Sequence, residues 1–121
     1  MSSEIRSYRD LIVWQKAVDL AEAVHVVTRG YPKHELFGLT DQTRRAAVSV
    51  PANIAEGAGR FGSNEFRHHV SIARGSLAEL RTLLELGYRF GYLNQDQLAK
   101  LHADVDEIDA MLCALHRTLA K

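Results

Sequence analysis

The last quarter of the chain constrains the fold most. Leu98, Leu101, Val105, Ile108, Leu112, Leu115 and Leu119 alternate steps of three and four without a break. Only an α-helix, with 3.6 residues per turn, gathers such positions on one side. A stripe this regular favours packing along a neighbouring helix at a shallow angle. Asn94 and Gln97 have the spacing of a capping box, so a helix is expected over about 95–120.

The preceding segment has the same signature. Phe66, Val70, Ala73, Leu77, Leu80, Leu84 and Gly87 alternate four and three, with Ile72, Ser76, Leu83 and Phe90 as a second stripe. Ser63 is the expected N-cap and Glu65 suits the positive helix end, giving a helix over about 64–91. Further upstream, Leu11, Trp14, Ala17, Val18, Ala21, Val24 and Thr28, with Val13, Leu20 and Val27 as a second stripe, define a helix over about 10–29, and Gly30 and Pro32 are expected to end it. A fourth helix is expected over about 39–56, with Thr40 as N-cap and small residues such as Ala46, Ala47 and Ala52 keeping it slim. Pro51 lies inside it and predicts a kink, because its ring meets the carbonyl of Ala47. Four helices, short connections and no strand pattern give an all-α, antiparallel up-down-up-down four-helix bundle, a single domain over residues 1–121.

Composition narrows the function. The chain has 15 Lys plus Arg and 15 Asp plus Glu, so it lacks the basic excess with which dedicated nucleic-acid binders displace counterions. Its one cysteine, Cys113, rules out an internal disulfide framework and has no adjacent cation to activate it. Met1 to Arg9 is polar with both charge signs, no signal peptide is expected, and no apolar run reaches the roughly 20 residues of a membrane span. Cytoplasmic residence and no membrane association follow as expectations.

Several constellations carry residue types suited to chemistry. Glu-x-x-His, a di-metal signature in helical bundles, occurs at Glu22–His25 and at Glu65–His68. In an up-down-up-down bundle the two would lie at levels roughly 15 Å apart, too far to share metal ions. His68 and His69 are adjacent and face different sides of their helix. The glycines of the stretch from Gly57 to Gly62 lack the preceding strand and the spacing of a dinucleotide loop. No catalytic residue, metal ligand or cofactor is therefore assigned.

Two groups remain. Arg67, Arg74 and Arg81 are spaced by seven on one helix face, with Arg44, Arg45 and Arg60 in the segment before. They could grip RNA phosphates or an acidic protein, or pair with the acidic cluster Asp104, Asp106, Glu107 and Asp109, the pairing being the favoured reading. Ser49, Asn53 and Glu56, together with Ser76 and Glu79, interrupt apolar stripes. They are expected to form a hydrogen-bond network that fixes helix register, because an unsatisfied buried polar group costs about 1–3 kcal/mol.

The run from Tyr8 to Ala17, the residues Pro32, Glu35, Gly38, Leu39 and Gln42, the central Arg45-Ala46-Ala47-Val48-Ser49-Val50-Pro51-Ala52-Asn53-Ile54-Ala55-Glu56-Gly57, and Ala73 to Leu80 resemble the bacterial four-helix-bundle proteins of 23S ribosomal RNA intervening sequences. The resemblance implies an up-down-up-down bundle, a ring-shaped homopentamer and no enzymatic activity. A distantly similar branch, the accessory proteins of diversity-generating retroelements, is strongly basic and binds nucleic acid, whereas this chain is neutral. The resulting expectation is a non-enzymatic, self-associating bundle serving as scaffold or adaptor. The alternative is RNA or ribonucleoprotein binding through the arginines.

Overall fold

The computed structural model describes residues 7–121. Most of the polar stretch from Met1 to Arg9 thus lies outside the described residues. A 3₁₀ turn at Tyr8–Asp10 leads into α1 (Ile12–Thr28), a second at Lys33–Glu35 leads into α2 (Leu39–Ala58), and α3 (Ser63–Arg89) and α4 (Gln95–Leu119) follow. Among the described residues there is no strand. No described helix is long and apolar enough to cross a membrane.

The helices bury most of each predicted stripe, but Val18 of α1 and Ile72 and Phe90 of α3 are exposed, and Leu115 and Leu119 of α4 are only partly buried. Val13, Ala17, Leu20 and Val24 of α1 meet Ala46, Ala47, Val50 and Ile54 of α2 in one core with the leucines of α3 and α4. Helices adjacent in sequence pack together, and α1 closes the ring against α4. Cross-links show the direction of the chain. Ser49 pairs with Ser76 and Asn53 with His69, so α2 and α3 are antiparallel. Arg74 pairs with Asp109 and Arg81 with Asp106, so α3 and α4 are antiparallel as well.

Helix ends differ from the sequence reading in instructive ways. The Asn94–Gln97 capping box is present, with Gln97 N donating to Asn94 Oδ1 at 2.8 Å. Thr40 is not the cap of α2. Gly38 holds that position and the Glu35 carboxylate accepts from the Leu39 amide at 3.1 Å, which leaves Thr40 inside the first turn, 3% exposed. Ser63 is the first residue of α3 rather than its cap, because Gly62 takes the cap position with φ 105°. Gly30 does not adopt the left-handed conformation; α1 ends in a right-handed turn through Arg29, with the Gly30 amide donating to Val27 O. α1 also starts later than expected, since Tyr8–Asp10 forms its own capped turn on Ser7. α2 runs unbroken through Pro51.

Candidate functional site

α2 and α3 come unusually close. A Cβ on Gly57 would stand 2.7 Å from His69 Cβ and 3.0 Å from a Phe66 ring carbon, so glycine is required there. Along this seam lies a half-buried chain of polar groups. Asn53 Nδ2 donates to the Ser49 carbonyl at 2.9 Å and to Ser49 Oγ at 3.0 Å. Ser49 Oγ and Ser76 Oγ are 2.8 Å apart, and His69 Nδ1 lies 3.1 Å from Asn53 Oδ1.

The amide fixes the proton pattern. Its nitrogen is committed to the Ser49 oxygens, so its oxygen faces the imidazole and can only accept. His69 Nδ1 therefore carries hydrogen. Nε2 then points toward Glu56 Oε2 at 3.7 Å, an approach that becomes an ion pair when Nε2 is protonated. Arg60 Nη2 donates to the same carboxylate oxygen at 2.6 Å. That hydrogen bond first, and the His69 charge second, hold the Glu56 carboxyl below the ordinary glutamate value. Neither serine hydroxyl is bonded to the imidazole, so the cluster lacks the nucleophile–base contact of covalent catalysis. Its hydrogen bonds instead join α2 to α3.

Of the residues named from sequence, Ser49, Asn53, Glu56 and Ser76 come together in this seam. Glu79 does not. It is exposed one turn beyond Ser76. His69 is the member that sequence reasoning missed. The signal was there: Glu56 and Ser49 are seven apart, as are His69 and Ser76 in reverse order, which is what antiparallel register demands.

The arginines do not form one basic face. Arg74 Nε donates to Asp109 at 2.8 Å and Arg81 pairs with Asp106, both across the α3–α4 seam. Arg45 is bound to Asp41 and Arg60 to Glu56 within α2 and its C-terminal loop. Arg44 reaches α1, with Nε donating to Thr28 Oγ1 at 2.8 Å. Arg67 is half-buried, and its Nε has no partner among the described residues. Four of the six charges are thus matched by carboxylates of the same chain. Among the described residues, no three His, Cys, Asp or Glu side chains come together as a metal site.

A sequence model described as 23S rRNA-intervening sequence protein matches residues 9–114. A crystal structure from Bacteroides thetaiotaomicron VPI-5482, described as a protein with unknown function from the S23 ribosomal protein family, superposes with a TM-score of 0.80 at 24% identity. That match covers 88% of this chain and 96% of the other. Curated proteins give no match.

Proposed function

Because the chain belongs to the 23S rRNA-intervening sequence protein family, we propose that it is a non-enzymatic, self-associating bundle, a cytoplasmic scaffold or adaptor whose working form is a ring of identical subunits. The observation that carries this reading is the set of exposed apolar and small residues on α2 and α3. Val48 of α2 is 57% exposed and Ile72 of α3 is 38% exposed. Ala52 is exposed one turn beyond Val48 on α2, and Gly75 on α3 has open space where a Cβ would stand. Residues this small let a second backbone approach closely, and covering the two larger side chains removes apolar area from water at about 25 cal/mol per Å². A second copy of the chain covers these residues, and the homopentamer suggested by the family resemblance is the assembly expected.

The test is light scattering with size-exclusion chromatography at micromolar concentration. A discrete oligomer is expected, near five subunits. Val48→Lys with Ile72→Lys should shift it to monomers that keep the helical far-UV spectrum. A wild-type protein that is monomeric under these conditions would sink the reading.

A further inference from the structure

Between the end of α1 and the start of α2 lies a cavity of about 140 Å³. Arg29, Lys33 and Arg44 line it, and no carboxylate does. Arg29 and Lys33 are exposed, and among the described residues neither is in an ion pair. Arg44 is held on one edge by neutral oxygens only, Thr28 Oγ1 at 2.8 Å and the His25 carbonyl at 3.4 Å. Carboxylates of the same region are engaged elsewhere: Glu35 accepts from the Leu39 amide and the Tyr92 hydroxyl, and Asp41 accepts from Arg45. Three positive charges around one concavity without a counter-charge create a local field that attracts anions.

A second observation points the same way. Thr40 lines the cavity, is only 3% exposed, and its Oγ1 has no hydrogen-bond partner among the described residues. A buried hydroxyl without a partner is costly unless something satisfies it. Thr40 sits in the first turn of the 20-residue α2, where the helix dipole favours negative charge, although the Leu39 amide of that turn is already taken by Glu35. Tyr31 also lines the cavity with an unpartnered hydroxyl, but that hydroxyl lies against Gly87 of α3 and belongs to the core.

We propose that this cavity binds a tetrahedral oxyanion, the phosphate group of a phosphorylated ligand. The guanidinium of Arg44 supplies a fixed donor plane, Lys33 and Arg29 close over the anion from the rim, and the first turn of α2 with Thr40 forms the floor. The site is on the α1–α2 connection, with Arg44 one helical turn from Val48, and the two readings are separated by their variants: Arg29 and Lys33 lie outside α2 and α3, which carry Val48 and Ile72.

Isothermal titration with inorganic phosphate at low ionic strength tests it. Saturable binding of one phosphate per chain is expected, weakening as salt rises. Arg29→Ala with Lys33→Ala should weaken it at least tenfold, on a fold left intact because both side chains are exposed. Thr40→Val should also weaken it, while Arg45→Ala and Arg89→Ala leave it unchanged. Parallel titrations with adenosine monophosphate and with a short 5′-phosphorylated RNA distinguish the source: tighter binding than inorganic phosphate by either one assigns the phosphate to it. Absence of saturable phosphate binding, or binding unchanged in the Arg29→Ala, Lys33→Ala protein, overturns the proposal.

Discussion

α3 takes part in two seams built on opposite principles. Toward α4 it shares the apolar core, with Leu77, Leu80 and Leu84 in the same cluster as Leu101, Val105 and Ile108, and Arg74 and Arg81 pair with Asp109 and Asp106. Toward α2 it offers Ser76 and His69 to Ser49, Asn53 and the bare backbone of Gly57. The first seam is specified by apolar area and its surface ion pairs add little. The second is specified by shape and by hydrogen bonds, so it tolerates less change for each atom altered. One helix thus holds a forgiving interface and a demanding one.

The largest effect should come from the shared core, where the two seams do not differ. Leu80→Ala or Leu112→Ala, both 0% exposed, should each lose about 2–5 kcal/mol in urea unfolding. A loss under about 1 kcal/mol would mean that the bundle repacks, and the division into two kinds of seam would lose its basis.

Gly57→Ala sharpens the contrast with one methyl group. The new Cβ would press on His69 Cβ at 2.7 Å, part of a side chain anchored by Asn53 rather than a flexible tip. A loss of about 1–3 kcal/mol is expected. The same change at Gly75, where nothing lies within 4 Å, should be neutral or slightly stabilising in the isolated subunit.

Asn53→Ala should cost about 1–3 kcal/mol, because it strips the partner from a half-buried imidazole N–H. Arg74→Ala and Arg81→Ala should each cost less than about 1 kcal/mol, since their pairs are 37–68% exposed on the side chains involved. Glu79→Ala should leave subunit stability unchanged, as the side chain is exposed and outside the network. Equal losses for Asn53→Ala and Arg74→Ala would erase the distinction between the seams.

The two seams were not equally legible. The α3–α4 pairing is written in a strict three-four leucine pattern, and each residue of that pattern carries its own signal. In the α2–α3 seam, Ser49, Asn53 and Glu56 are visible as polar interruptions, but the partner His69 becomes visible only when the antiparallel register is known. Glu79 shows the converse failure: it has suitable spacing from Ser76 but its side chain is exposed, which spacing on one helix cannot reveal. Caps were legible where the cap is local, as at Asn94, and illegible where a residue from another turn supplies it. Glu35 takes the Leu39 amide from four residues upstream, so the more obvious hydroxyl of Thr40 is left inside the helix.

That same glutamate supports the smallest prediction, at the end of the molecule where both seams stop. Glu35 caps α2 and also accepts from the Tyr92 hydroxyl at 2.9 Å, tying the α1–α2 connection to the turn between α3 and α4. The Leu39 amide first and the Tyr92 hydroxyl second hold its carboxyl below the ordinary glutamate value. The same bond raises the Tyr92 phenol, because the hydroxyl proton is the one donated. A carboxyl with a depressed native pKa stabilises the fold fully above the unfolded value, and the contribution disappears as pH falls through the native value. Removing the Tyr92 hydroxyl leaves the amide in place, so the depression should shrink without vanishing. In Tyr92→Phe, stability followed by urea unfolding from about pH 6 down to about pH 3 should therefore fall less steeply than in the wild type. The residual slope still includes Glu56, whose carboxyl is depressed by Arg60 and His69 at the opposite end of the bundle. Glu56→Gln removes that share, and in this background Tyr92→Phe should still flatten the acid limb. An acid limb identical with and without the Tyr92 hydroxyl would show that the two connections are not coupled through Glu35, and that α2 is capped by the local carboxylate alone.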